Sequence, residues 1–356
     1  MVREMREYQG LSENELNERI TQVRQAFGRR LVILAHHYQK DEVIRHSDFR
    51  GDSLKLAQIA AQEKDAEFIV FCGVYFMAET ADLLTSPCQK VILPDLQAGC
   101  PMADMAKPEG VAACWELLRE AYGDRFVPVA YINSNADIKA FCGREGGMIC
   151  TSANAERVFE RVLTPEKSLV FLPDEHLGRN TGLRLGLRPD EILVWNYRNP
   201  DTNILPKQPP RLIVWQGFCC VHQRFRPEQI RSVREQIPGV RVIVHPECPR
   251  EIVALADDAG STGYIIQQVT DAPLGSAWAI GTEGNLIHRL VAAHPGKTIR
   301  SLNPYLSYCR NMNRLREHVL LWALENLQAG NVVNQVQVDP ETAAFAALSV
   351  QRMLEM

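Results

Sequence analysis

Short runs of Val, Ile and Leu alternate along the chain with longer stretches whose apolar residues recur at helical spacing. The first such stretch is a helix by its own signals: Ser12 and Glu15 form a capping box, and Leu16, Ile20 and Val23 follow on one face. Eight apolar runs come after it: LVILAHHY from 31, EFIVFCG from 67, KVILPD from 90, VPVAYIN from 127, LVFLPD from 169, RLIVWQG from 211, VRVIVHPE from 240 and AWAIGTE from 277. Each is short and apolar without alternation, as strands covered on both faces of a parallel sheet are. Each is followed by polar residues and then a helix-like stretch, so the predicted class is α/β.

Aligned by character, the runs form a repeat. VILAHHYQ, VAYINSNADIKA and VWQGFCCVHQRF read as first strands. FCGVYFMAETADLL, MICTSANAERVFERVL and VIVHPECPREIVALADD read as second strands, and VILPDLQAGCPMADM, LVFLPDEHLGRNTGLRLG and AWAIGTEGNLIHRLV as third strands. Three related α/β units of about 100 residues are therefore expected. Proline and polar clusters place the boundaries near Lys107–Pro108 and Arg198–Pro210. The expected domains are 1–107 with the segment 306–356 packing back on it, 108–198, and 199–305. At or just beyond the strand ends stand His36, Tyr38, Cys72, Asp95, Cys100, Tyr131, Asn133, Ser152, Asp174, Cys219, His245, Glu247 and Glu283. In open parallel sheets that edge binds ligands. Three such edges facing one another would enclose one central site.

Composition narrows the class. Of 356 residues, 46% are hydrophobic and 23% charged, the balance of a globular protein of more than one domain. The net charge of -4 leaves no basic footprint for a nucleic-acid partner. MVREMREYQG has no apolar signal region, and no run reaches the length of a membrane span, so a cytoplasmic protein is expected. The ten cysteines include no CxxC pair. In a reducing compartment they are not a disulfide framework, and a metal site would have to gather distant thiols by folding.

Several motifs carry candidate chemistry. AHHYQ at 35–39 puts His36 and Tyr38 on one side of an extended segment, either as an acid–base pair or as a satisfied strand end. In GDSLKLAQIAA at 51–61, Gly51 and Ser53 open a helix where a phosphate could sit, although an ordinary N-cap explains them as well. CTSAN at 150–154 and GSTGYI at 260–265 share that ambiguity. HPE at 245–247 sets an imidazole and a carboxylate around Pro246, able to orient a substrate carboxylate and move a proton. GCPMADM at 99–105, WQGFCCVHQRF at 215–225 and YCRNMNRL at 308–315 each place cysteine in a Gly-rich or polar loop, a poor place to bury an apolar thiol. Thiolates there suit zinc or an iron–sulfur cluster.

These segments, with FCGVYFMAET, LPDLQAGCPMADM, YINSNADIKA, FLPDEHLGR, HPECP, GST, IGTE and CRNM, occur in the order of the quinolinate synthase family, which the chain resembles from about residue 30 onward. The resemblance implies three doubly wound, three-layer α/β/α domains in pseudo-threefold arrangement around a central active site. It implies one [4Fe–4S] cluster per chain on three cysteine ligands, which fall on Cys100, Cys219 and Cys309. Cys219 is preferred over its neighbour Cys220 by the family pattern, and Cys72, Cys150 and Cys248 read as packing residues. The implied reaction condenses iminoaspartate with dihydroxyacetone phosphate to quinolinate for NAD biosynthesis, with an open iron as Lewis acid. By resemblance His36, Tyr38, Tyr131 and Glu247 are catalytic, while Ser53, Asn133, Ser152, His245 and Thr262 bind substrate. An aspartate oxidase or dehydrogenase is the implied source of iminoaspartate.

Three other readings compete. A cluster-dependent hydro-lyase would share the open iron but not these motifs. A non-catalytic iron–sulfur or zinc protein would need the cysteines but not His36, Tyr38 or Glu247. A plain nucleotide-binding protein should show GxGxxG or a P-loop after a strand, and neither occurs.

Overall fold

The first helix, Glu13–Phe27, begins as its capping box predicts. Glu15 N–H donates to Ser12 Oγ at 3.3 Å, and Ser12 N–H donates to Glu15 Oε2 at 2.8 Å. Leu16, Ile20, Val23 and Phe27 turn inward from it. The computed structural model describes residues 2–305 and 307–356. They fall into two units, Met1–Cys100 with Tyr308–Asp339, and Pro101–Ser307 with Pro340–Met356. Among the described residues no helix is long and apolar enough to cross a membrane.

In the first unit four strands run parallel: β1 (Leu31–His36), β2 (Phe49–Gly51), β3 (Phe68–Cys72) and β4 (Lys90–Ile92). Their spatial order is β2-β1-β3-β4. A two-residue strand, Gln335–Val336, joins the free side of β4 in the antiparallel sense. β1 and β3 are buried along their whole length, which is why both read as unbroken apolar runs. The helices Glu13–Phe27 and Glu317–Gln328 contribute to one core cluster with β1 and β3.

The second unit holds two parallel sheets. One is built from β5 (Phe126–Tyr131), β6 (Met148–Cys150), β7 (Ser168–Leu172), β8 (Ile192–Trp195) and β9 (Leu212–Trp215), in the order β6-β5-β7-β9-β8. The other is built from β10 (Arg241–Val244), β11 (Asp258–Ala259), β12 (Ala277–Gly281) and β13 (Thr298–Ser301), in the order β11-β10-β12-β13. The α/β class with three parallel sheets is therefore as expected.

The repeat is real, but its phase differs from the sequence alignment. Each sheet contains the same four-strand order, second-first-third-fourth: β2-β1-β3-β4, β6-β5-β7-β9 and β11-β10-β12-β13. The first strands are thus β1, β5 and β10. VWQGFCC, aligned above as a first strand, belongs to β9, the fourth strand of the middle sheet, where Leu212–Val214 pair with β7 and Leu212–Trp215 with β8. A division at 198/199 cuts this sheet between β8 and β9. The error has a simple cause: the second strands are short and lie at sheet edges, so β2 and β11 leave no apolar run to count.

The tail also divides. Tyr308–Asp339 belongs to the first unit, while the last helix, Pro340–Leu354, packs on Ala136–Arg144 in the second. Gly143 permits that crossing, since a Cβ there would stand 1.9 Å from the Phe345 carbonyl oxygen. Arg352 Nη1 then donates to the Gly147 carbonyl at 2.6 Å.

Candidate active site

The fourth strand of every sheet leads into a cysteine loop, and the three loops share one construction. Cys100, Cys219 and Cys309 each precede a single 3-10 turn by three residues: Ala103–Met105, His222–Arg224 and Met312–Arg314. Each precedes the first residue of a helix by eight: Pro108, Pro227 and Glu317. Between them a side chain is buried at the same place, Ala106, Phe225 or Leu315, each 1% exposed. At Cys219 and Cys309 the cysteine carbonyl accepts from the N–H four residues on, Gln223 or Asn313, at 3.0 Å. Cys220 is one residue out of this register.

A cysteine in a polar loop has the thiolate chemistry that an iron–sulfur cluster needs. Cys100, Cys219 and Cys309 are half-buried in such loops, as is Cys220. Cys72, Cys114, Cys142, Cys150 and Cys248 are buried, and burial pushes their thiols up, Cys142 to about 12. Those five pack as small apolar groups. In the first unit, Arg314 ties the loops of Cys100 and Cys309 together: Nε donates to Asp95 Oδ2 at 2.9 Å and Nη2 to Gln97 Oε1 at 2.6 Å. Asn311 Nδ2 adds a bond to the Gly99 carbonyl at 2.7 Å.

The second unit gathers an acid–base group where β5, β7, β10 and β12 end. Glu247, 2% exposed, lies at its centre. Its Oε2 is 2.6 Å from His222 Nδ1 and 3.5 Å from His245 Nδ1, and Asn133 Nδ2 reaches Oε1 at 3.5 Å. The His222 contact is close but not aligned as a hydrogen bond at Nδ1. The rings of His222 and His245 stack at 4.5 Å, and His222 Nε2 lies 3.2 Å from Thr282 Oγ1. Burial opposes ionisation of Glu247, but the two imidazoles and a hydrogen bond from Tyr131 hold its carboxyl below the usual range. Burial pushes His245 down to about 3, so near neutral pH it is uncharged and the donors around Glu247 keep it ionised.

Asp174, at the end of β7, behaves oppositely. It is fully buried, its Oδ1 accepts from Leu177 N–H at 2.6 Å, and its Oδ2 has no partner. Burial and the nearby charge of Glu247 push its carboxyl up. Two buried carboxyls with pKa values driven apart are what acid–base work requires. Neighbouring side chains pin the loops. Asn180 Nδ2 donates to the carbonyls of Pro246 and Cys248, each at 2.9 Å, and Ser134 Oγ donates to the Tyr131 carbonyl at 2.7 Å.

In the first unit His36 ends β1 and is 5% exposed. The Tyr38 ring meets it edge-on at 4.7 Å, and Tyr38 N–H donates to His36 Nδ1 at 3.1 Å. The three hydroxyls follow the second strands, Ser53 two residues after β2, Ser152 two after β6 and Thr262 three after β11. Asp52, not Ser53, caps the helix Ser53–Gln62, and Ser261, not Thr262, caps Thr262–Asp271. The capping role is therefore filled without Ser53 or Thr262. Tyr131, Asn133, His245 and Glu247 come together in the second unit, while Ser152 lines a cleft of about 460 Å³ with Pro246, Ser261 and Tyr264. Sequence reasoning assigned no role to His222, Asp174 or Thr282. Their signals were the V-H of WQGFCCVH, the D of FLPD and the T of IGTE.

Parallel sheets with thiols and acid–base side chains at their strand ends define an α/β protein whose chemistry sits at those ends. The family described as Quinolinate synthetase A protein matches residues 18–355. A quinolinate synthase of Geobacillus sp. (strain WCH70) is 50% identical over 353 residues, covering 98% of this chain and 95% of that protein. Others are those of Nocardioides sp. (strain ATCC BAA-499 / JS614), 50% identical with 97% and 90% covered, and Anoxybacillus flavithermus (strain DSM 21510 / WK1), 50% identical with 98% and 95% covered. The chain belongs to the quinolinate synthetase A family.

Proposed function

We propose that the chain is a quinolinate synthase acting in NAD biosynthesis, a carbon–carbon bond-forming transferase of the cytoplasm. It condenses iminoaspartate with dihydroxyacetone phosphate, releasing quinolinate, phosphate and two waters. The observation that carries the reading is the buried carboxylate of Glu247 among His222, His245, Tyr131 and Asn133, in a chain that matches this family over nearly its whole length.

Cys100, Cys219 and Cys309 would hold a [4Fe–4S] cluster, one per chain; their common loop construction supports the set. When bound, the cluster supplies an iron with an open position as Lewis acid. The remaining work falls to side chains. Glu247, ionised, takes a proton from substrate carbon or nitrogen, and Tyr131, hydrogen-bonded to it, passes protons in the same exchange. His36 and Tyr38, adjacent at a strand end, serve carbonyl isomerisation. Asn133 and His245 orient a substrate carboxylate. Ser53, Ser152 and Thr262, relieved of capping or placed in a loop, bind the phosphate. Burial around Glu247 keeps water from the hydrolysable imine. An aspartate oxidase or dehydrogenase supplies that imine.

Anaerobic purification tests the reading. About four irons per chain, a broad visible absorbance, and loss of both in Cys100→Ser, Cys219→Ser and Cys309→Ser are expected. Quinolinate should form from the two substrates with the parent alone. A colourless parent after reconstitution with iron and sulfide would overturn the cluster, and no quinolinate from a loaded parent would overturn the reaction.

A further inference from the structure

Cys219, His222 and Glu247 each offer one donor atom, and the three atoms lie within 4.8 Å of one another. A thiolate, an imidazole and a carboxylate are the ligand types of a zinc-like divalent cation. The spacing is built in: Cys219 and His222 share one turn, closed by the Gln223 N–H bond to the Cys219 carbonyl, and Asn180 pins the loop carrying Glu247. His222 is 1% exposed, and its Nδ1 has no hydrogen-bond partner although Glu247 Oε2 stands 2.6 Å away. A cation held by both groups would give that nitrogen a partner once the two atoms part to about 3.4 Å, the spacing of tetrahedral ligands at about 2.1 Å. Thr282 Oγ1, at 3.2 Å from His222 Nε2, holds the ring as the outer partner of a metal-bound histidine does.

We propose that, in the chain lacking its cluster, Cys219, His222 and Glu247 form a site for one zinc-like divalent cation, and that occupation of this site keeps Cys219 from the cluster. Only the second half rests on the function proposed above, because it takes Cys219 as a cluster ligand. Cluster and cation are then alternatives at one thiol, and the chain must be loaded with iron and sulfide before zinc reaches it.

Cobalt(II), added without oxygen to the cluster-free chain, is the probe. One cobalt per chain with a thiolate-to-cobalt absorption band is expected. The band should vanish in Cys219→Ser, weaken in His222→Gln, and persist in Cys220→Ser and Cys309→Ser. X-ray absorption of the unmutated chain with zinc should find one sulfur and otherwise nitrogen or oxygen around the metal, a readout that no folding defect can disturb. Zinc-loaded chain should take up no iron until a chelator removes the zinc. No thiolate band at all, a band surviving Cys219→Ser, or two or more sulfurs on zinc would overturn the site and leave the cluster assignment standing. Cobalt binding through Cys219 in fully cluster-loaded chain would instead overturn the exclusion, and with it Cys219 as a cluster ligand.

Discussion

Each unit buries carboxylates, and it treats them differently. In the first, Glu325 accepts two bonds from Arg19 at 2.7 Å each and one from Tyr8 at 2.8 Å, with Arg3 beside it. Glu317 is met by Arg45 and His46, both at 2.6 Å. Each of these acids has a fixed counter-charge, and the groups join the N-terminal segment, the helix Glu13–Phe27 and the turn at Arg45 and His46 to the helix Glu317–Gln328. In the second unit no arginine or lysine pairs with Glu247 or Asp174 among the described residues, and Asp174 keeps an oxygen without a partner. Burial of an acid is therefore no mark of function by itself. An acid paired with arginine holds structure together, whereas one met only by histidines and neutral donors, or left with a bare oxygen, is poised for a ligand.

The sharpest break of this comparison is Glu247→Gln. The side chain keeps its size and loses its charge, so quinolinate formation should fall at least about 100-fold while the melting temperature stays near that of the parent. Glu325→Gln should do the reverse. Activity per folded chain persists, and stability drops by about 2 kcal/mol in denaturant melts, less than a fully buried pair loses, because Arg3 and Arg19 are 45% and 33% exposed and regain water. If the two variants behave alike, the distinction fails.

Arg314→Met lies between these extremes. It frees Asp95 and Gln97 and loosens the Cys100 and Cys309 loops, so iron should leave to a chelator about tenfold faster with little change in melting temperature. His176 gives a smaller, pH-dependent effect. Burial, with Arg179 nearby, pushes its pKa from 6.5 down to about 4. The unfolded chain therefore takes up this proton first. Stability should be full above about pH 6.5 and lost progressively as pH falls toward 4, with a shallower loss in His176→Gln, read from urea midpoints at pH 7 and pH 5. Smallest of all, Cys88→Ser changes an exposed thiol outside the cysteine loops. Stability should stay within about 0.5 kcal/mol and iron content should not change.

Much of the fold was legible because burial writes itself into composition. All eight apolar runs contain strands, and the capping box at Ser12 and Glu15 marks a real helix start. Three strands that escaped were quiet in sequence: β2 and β11 are edge strands of three and two residues, and β13 is exposed at two of its four positions, whereas β8 escaped although ILVW is apolar throughout. His222 escaped because a histidine three residues after a cysteine says nothing about Glu247, twenty-five residues further on. Asp174 stood among the strand-end residues, the structure makes it a helix cap, and only burial reveals the second, unpartnered oxygen.

The sequence by itself determined the α/β class, the strand-end placement of the reactive residues, and the ordered motifs that tie the chain to its family. Local spacing and solvent exclusion set those features, and both are carried by neighbours along the chain. Tertiary structure alone decided that β9 lies between β7 and β8 in the middle sheet, that the last helix crosses at Gly143, and that Glu247 meets two histidines while Glu325 meets two arginines. Those outcomes depend on which distant groups compete for the same edge, groove or charge. A linear pattern records that a side chain is buried, but the packed chain chooses its partner.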